Sequence, residues 1–277
     1  INNKVIAIDI SIYLYKFMYG NNNLILNFLK QIEKLKKYNI EPIYVFDGKP
    51  PDEKKNIIDN RKEIKRKKYE RKEDIERKIL EYDKIINSSS NDEQIKIYQD
   101  NKKILTNELN KLNLTIINIK DTDIQMLKNL FDIIGVIYIQ ADTEAEIVCS
   151  QLCKQGKVYG CLSDDTDVLA NGSFKFLTCY NFKNDFLIEY DYNMILNKLE
   201  LDNNQFVDLC ILCGCDYTCK INKIAYITAY KLIKEHKNIE NIIENIKSVE
   251  KYNIVVFIQT STAEITPTLS EIIFFAK

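Results

Sequence analysis

Seven carboxylates in this 277-residue chain each fall where a short apolar run ends or a helical run begins. Asp9 closes VIAID and Asp47 closes PIYVFD. Glu144 and Glu146 open the helical stretch AEIVCSQLCK. Asp165 and Asp167 come 19 residues after Glu146, directly behind the apolar run Val158 to Leu162. Asp216 stands in CGCDY behind another helical run. Two carboxylates about 4 Å apart repel by roughly 1 kcal/mol in water and roughly 4 kcal/mol at a protein surface. A cluster of them therefore takes up protons or binds cations. Mg2+ and Mn2+ prefer oxygen ligands, so an all-carboxylate set suits them. Two such ions roughly 3.5–4 Å apart can clamp the attacking and leaving oxygens of a phosphodiester hydrolysis. Acidic residues at strand ends and helix starts also serve as ordinary caps, and each one alone fits that reading too.

The elements that must position these acids follow from the pattern. Apolar runs predict strands at Lys4–Ile8, Pro42–Phe46, Leu114–Ile119, Val136–Ile139, Val158–Leu162, Phe174–Thr178 and Phe186–Tyr190. Helical spacing predicts helices at Ser11–Tyr19, Leu24–Tyr38, Thr122–Ile134, Ala145–Lys154, Asn203–Cys213, Ala225–His236 and Ile239–Lys247. On the second of these, Leu24, Phe28, Ile32 and Leu35 form one stripe. Strands alternating with helices predict an α/β fold: a twisted, mainly parallel sheet with helices on both faces. Ligands of such sheets bind beyond the carboxyl ends of the strands, where Asp9 and Asp47 stand.

Gly48-Lys49-Pro50-Pro51 interrupts this order, and a long charged segment follows, Asp52 to about Ile86. Between Lys54 and Lys72 there are ten Lys or Arg against three acids, a local excess of +7 in a chain whose net charge is -1. Arg61, Lys65, Lys68 and Lys72 are spaced 4, 3 and 4, on one helical face. That face is either a solvated, salt-bridged surface or a track for phosphates; the thinning of acids among the bases favours phosphates. Asn87-Ser88-Ser89-Ser90-Asn91 breaks the segment, and a second helix runs to about Leu112.

Hydrophobic residues make up 45% and charged residues 29%, an ordinary globular composition. No apolar run reaches 18 residues and no signal-peptide pattern is present, so nothing points to a membrane or to secretion. The eight cysteines then read as reduced thiols of an intracellular protein. Cys210, Cys213, Cys215 and Cys219 are compatible with a zinc site, but zinc spacing normally has two separated pairs, which favours buried thiols. His236 reads as the end of a helix.

Four blocks resemble the XPG/flap-endonuclease superfamily of structure-specific 5' nucleases. VIAIDISIYLYKF is similar to its first aspartate block, and PIYVFDGKPP to its second. ADTEAEIVCSQLCKQGKVYGCLSDDTDVLANGS resembles its internal block, and QFVDLCILCGCDY the block before its helix–turn–helix. The resemblance runs from Val5 to about Ile246 with every acid in place. It implies a PIN-like nuclease fold with a helical arch and a helix–turn–helix appendage. It implies one metal held by Asp9, Asp47, Glu144 and Glu146, and a second by Asp165, Asp167 and Asp216, with Glu146 serving both. Lys54 and Arg61 match a basic pair at the base of the arch that contacts the scissile phosphate. Tyr15 matches an aromatic residue that stacks on a base near the cut, although a core tyrosine is its plainer reading. Lys65, Lys68, Lys72, Lys220 and Lys223 are the further DNA-binding candidates.

Two departures stand out. The family's glycine-rich hairpin turn, which contacts duplex phosphate and K+, is here Lys223-Ile224-Ala225; without glycine the backbone approaches phosphate less closely. The family's glycine-led N-terminal segment is absent, and the chain begins at Ile1, the start expected of a fragment or processed form with lowered activity. The tail Ile272-Ile273-Phe274-Phe275 lacks the glutamine of a sliding-clamp motif, so clamp binding is not expected. The domains expected are a nuclease core over 1–200 with its arch at about 49–120, a helix–hairpin–helix-like region over 201–250, and a tail over 251–277. The function expected is Mg2+-dependent hydrolysis, with two ions and with Mn2+ able to substitute. Its substrate is DNA bearing a 5' flap, nick or branch, cut by a monomer at sites of replication or repair, in the nucleus if the source is eukaryotic. The alternatives are a 5'-to-3' exonuclease or junction-cutting relative, a non-catalytic DNA-structure binder and a PIN-type RNase. The full set of acids argues against the binder, and DGKPP against the RNase.

Overall fold

The computed structural model describes residues 1–19, 23–181, 184, 186–215 and 224–245. Six strands form one sheet: β1 (Val5–Asp9), β2 (Glu41–Phe46), β3 (Ile137–Gln140), β4 (Gly160–Leu162), β5 (Lys175–Asn181) and β6 (Phe186–Asp191). Their order across the sheet is β3-β2-β1-β4-β5-β6. All neighbouring pairs are parallel except β5 with β6, an antiparallel edge. The chain winds outward from β1 to β2 and β3, then returns to β4 on the other side of β1. The crevice between β1 and β4 is thus the switch point at which such sheets bind ligands.

Side chains alternate across the central strands and feed two cores. Ile6, Ile8, Tyr44, Phe46, Leu162 and Leu177 pack with helices α1 (Ile10–Met18), α2 (Leu24–Lys37) and α5 (Asp121–Ile134). Ala7, Val45, Cys161 and Phe176 face the other way. There they meet α6 (Ala145–Lys154), the single turn α7 (Asp167–Ala170), α8 (Tyr192–Leu199), α9 (Asn203–Cys213), α10 (Tyr226–His236) and α11 (Ile239–Asn245). This is the two-faced burial that apolar parallel strands require. Stacked Tyr44 and Phe131, with centroids 4.7 Å apart, centre the first core. Cys149, Cys153, Cys161 and Cys210 are buried thiols in the second. Cys219, with the rest of 216–223 in the link between α9 and α10, lies outside the described residues, as does the tail over 251–277.

The segment after β2 rises as two long helices, α3 (Lys55–Ser88) and α4 (Asp92–Thr115). Arg61, Lys65, Lys68 and Lys72 continue at the same spacing through Ile75, Ile79, Tyr82 and Ile86. One heptad stripe is therefore basic near the sheet and apolar toward the tip. Ile95, Tyr98, Lys102, Leu105, Leu109 and Leu112 make the answering seam on α4, so the distal arch is an antiparallel coiled coil. Tyr82 meets Tyr98 edge-on at 5.1 Å, Arg71 pairs with Glu108 at 2.7 Å, and Lys102 pairs with Asp83. Lys72 sits half-buried on this seam beside Glu76, one turn beyond Lys68, which lines the cleft at the arch base.

The strand expected at Leu114–Ile119 is not formed. Helix α4 continues through Thr115, and residues 116–119 pair with no strand among the described residues. The apolar run instead serves the return of the arch: Ile116 and Ile117 line the cleft, and Ile119 packs on the first core.

Ile75 is the one fully buried side chain of α3, and α4 has none. So thin a seam opens locally more readily than the sheet does. Ile75→Ala, a change that typically costs 2–5 kcal/mol in a packed core, is expected to speed amide exchange across α3 and α4 while leaving the β1 and β2 amides unchanged. Hydrogen-exchange mass spectrometry reads both; equal acceleration in arch and sheet would contradict a separately opening arch.

Candidate active site

Each acid reaches the switch point by a local rule. Asp9 ends β1 and caps α1, its Oδ1 accepting from Ser11 N at 3.0 Å. Asp47 follows β2, and its Oδ1 accepts from Ala145 N at 2.8 Å, satisfying one orphan amide at the start of α6. Glu144 is the N-cap residue of α6 and Glu146 lies in its first turn, where the helix dipole favours negative charge. Asp165 follows β4 and receives the Asp167 N–H at 3.1 Å.

Gly48 lets the loops after β2 and β3 touch. Its N–H donates to Thr143 O, and the next amide, of Lys49, donates to Asp142 O at 3.1 Å. A Cβ on Gly48 would lie 2.2 Å from Ala141 O and 2.3 Å from Asp142 O, backbone atoms that cannot swing aside.

Asp9, Glu144, Glu146 and Asp167 are all buried. Burial, and then the charges of Asp47 and Asp165, push the Asp9 carboxyl up to about 7. Burial, and then Glu144, raise Glu146; burial, and then Asp165 and Glu146, raise Asp167. These couplings chain all six described acids into one electrostatic cluster. Lys54 answers it: its ammonium pairs with Glu144 and stands 3.8 Å from Glu146. Among the described residues no three acidic, His or Cys side chains are drawn closely enough to hold an ion as they stand. The oxygen-only donors and the raised acids nevertheless fit a hard divalent cation, with Lys54 in the role of a monovalent stand-in.

Beside the acids opens a cleft of about 780 Å³ whose far wall is the base of α3. Lys54, Arg61, Lys65 and Lys68 line it. Tyr15 also lines it and is 56% exposed, so it is not a core tyrosine; the buried one is its neighbour Tyr13. Lys65 donates to Asn118 at 2.9 Å and ties α3 to the returning chain. Asp216, Lys220 and Lys223 lie outside the described residues. Three polar residues of the site were not singled out from the sequence. Ser11 and Ser163 each contact two acid-bearing segments. Asp164 turns away: Lys16 pairs with it, and Thr178 Oγ1 and Cys179 N donate to it at 3.0 and 3.1 Å. Its burial opposes ionisation, but Lys16 and these donors hold its carboxyl below the usual range. The run Ser163-Asp164-Asp165-Thr166-Asp167 made all the acids visible; only the packing tells which one is structural.

A parallel sheet with buried acids at its switch point, walled by a basic helix, defines a class of proteins that gather divalent cations beside a polyanion-sized cleft. Family models agree. The XPG N-terminal domain matches residues 1–68 and the XPG I-region matches residues 135–216, together more than half of the chain. The chain belongs to the XPG/flap-endonuclease superfamily. It is 34% identical over 269 residues to flap endonuclease 1 of Glycine max, covering 91% of this chain and 64% of that protein. It is 33% identical over 261 residues to flap endonuclease 1 of Drosophila mojavensis, covering 88% of this chain and 61% of that protein. The chain thus spans somewhat under two thirds of the length of these relatives. Among solved structures, the catalytic core of Rad2 in complex with DNA substrate superposes with a TM-score of 0.65 at 22% identity, covering 97% of this chain and 81% of that one. At that identity the likeness is one of fold. Divalent-metal dependence is general in this family.

Two outcomes follow. Because folding raises the Asp9 pKa, the folded state holds more protons than the unfolded state from about pH 4 to about pH 7. Stability in EDTA should therefore fall as pH rises through that window, and the Glu146 and Asp167 carboxyls, raised to about 9 and about 10, should extend the fall to alkaline pH. Mg2+ should raise the melting temperature more at pH 8 than at pH 5.5; a flat profile in EDTA would contradict the buried acid cluster. Gly48→Ala should lower the melting temperature by several degrees and weaken Mg2+ stabilisation, both readable by scanning calorimetry.

Proposed function

We propose that this chain is a divalent-metal-dependent, structure-specific 5' nuclease acting on DNA with a 5' flap, nick or branch in replication or repair. The observation that carries this reading is the juxtaposition at one switch point of six acids with the basic cleft of α3. Asp9, Asp47, Glu144 and Glu146 would hold one ion, Asp165 and Asp167 a second with Asp216, and Mg2+ is the ion proposed, with Mn2+ able to replace it. Bound ions supply the positive charge that an attacking and a leaving oxygen need.

The chain's own groups do the rest. Lys65 and Lys68 follow the phosphates along the cleft. Exposed Tyr15, at the mouth between the acids and α3, offers a face on which a base can stack. Arg61 and Lys54 meet the phosphate to be cut. Lys54, which pairs with Glu144 and Glu146, would be released toward that phosphate once bound cations balanced those two carboxylates. Residues 1–200 form the nuclease core in this reading, and the chain acts as a monomer.

Asp167→Ala should abolish cleavage of a 5'-flap duplex yet keep DNA affinity within a few-fold, since the cleft bases remain. Lys54→Met should slow single-turnover cleavage by about 10²–10³-fold. Single-turnover quench-flow together with anisotropy binding measures both. Unchanged turnover in Asp167→Ala would sink the assignment.

A further inference from the structure

The acids repel one another, yet they sit on four separate chain segments. Something other than an ion must hold their oxygens in place before an ion arrives. Two serine hydroxyls span the gaps. Ser11 donates its N–H to Asp9 Oδ1 at 3.0 Å and its Oγ–H to Asp47 Oδ2, joining the ends of β1 and β2. Ser163, fully buried at the end of β4, donates its Oγ–H to Asp9 Oδ2 at 3.2 Å and accepts the Asp165 N–H at 3.0 Å. Each hydroxyl has one proton and spends it on a carboxylate. Ser163 also uses its acceptor, so one atom sets the carboxylate of one acid and the backbone of another.

Each Asp9 oxygen thereby receives one donor: Oδ1 from Ser11, Oδ2 from Ser163. Asp47 is held the same way, by Ala145 N on Oδ1 and Ser11 Oγ on Oδ2. A carboxylate oxygen has two lone pairs, so every held oxygen keeps one free for a cation. The hydroxyls fix the plane of each carboxylate without neutralising it, as a second charge would.

We propose that Ser11 and Ser163 are positioning residues that pre-set Asp9, Asp47 and Asp165 for divalent ions, so that their loss weakens ion uptake. The proposal rests on the reading above that these acids hold such ions, and its test separates the two. Mn2+ uptake by the full chain without DNA is followed by the electron paramagnetic resonance signal of the free ion. The proteins compared are wild type, Ser11→Ala, Ser11→Thr and Ser163→Ala. Loss of groups that orient metal ligands typically costs 10–100-fold in affinity. Both alanine variants should therefore bind Mn2+ at least about tenfold more weakly. Ser11→Thr, which keeps the hydroxyl on the half-exposed first turn of α1, should stay close to wild type. A role in packing alone would not be rescued by threonine and would not move ion affinity in a variant whose circular dichroism is native. Should Ser163→Ala fail to fold, Ser11→Ala still decides. Wild-type affinity in a folded Ser11→Ala would overturn the proposal while leaving the acid site standing. A wild type that takes up no Mn2+ would overturn both.

Discussion

Mutual repulsion among buried carboxylates is the constraint on which this molecule turns. Six acids meet at one crevice of the sheet, and burial and neighbouring charge together push Asp9, Glu146 and Asp167 toward their protonated forms. A sequence that merely had to fold would not gather them. The structure tolerates the cluster because buried strands and hydrogen bonds between neighbouring loops fix every segment that carries an acid. Apolar strands buried on both faces set Asp9 and Asp47. The α6 amide that Asp47 accepts sets Glu144 and Glu146. The contact of Gly48 with the loop after β3 brings those two supports together. Lys54 then supplies positive charge beside Glu144 and Glu146.

The arch obeys a second constraint, the heptad. A single stripe of α3 does two jobs because its composition changes along its length. At the tip Ile75, Ile79, Tyr82 and Ile86 zip against α4; at the base Arg61, Lys65 and Lys68 face the cleft. The same helical face is thus glue at one end and a phosphate surface at the other. With one fully buried side chain in the two helices, the arch has little core of its own, and its order depends on that seam.

Most of this could be read from the sequence, for a physical reason. Strands buried on both faces give unbroken apolar runs, and the acids stand where those runs stop, so Asp9, Asp47 and the Glu144–Asp167 stretch were visible together. Helix α6 and helix α9 begin and end where their patterns place them. The failures also have causes. Leu114–Ile119 has the composition of a strand, but its apolar side chains cover the cleft and the first core rather than a sheet edge. Lys72, still a candidate for DNA contact, belongs by spacing to the basic face and stands beside Glu76 where the stripe turns apolar, a setting that spacing alone does not give. Ser11 and Ser163 escaped notice because a serine beside an aspartate is commonplace until its hydroxyl has a partner across the sheet.

The most direct measurement of the central claim is product mapping on a duplex with a 5' flap labelled at its 5' end, with Mg2+ or with EDTA. The account expects the intact flap to be released by a cut near the junction in Mg2+, and nothing in EDTA. Release of mononucleotides would transfer the chain to the exonuclease branch. Binding without cleavage in both Mg2+ and Mn2+ would contradict the claim that the acid cluster and the basic cleft together form a working nuclease site.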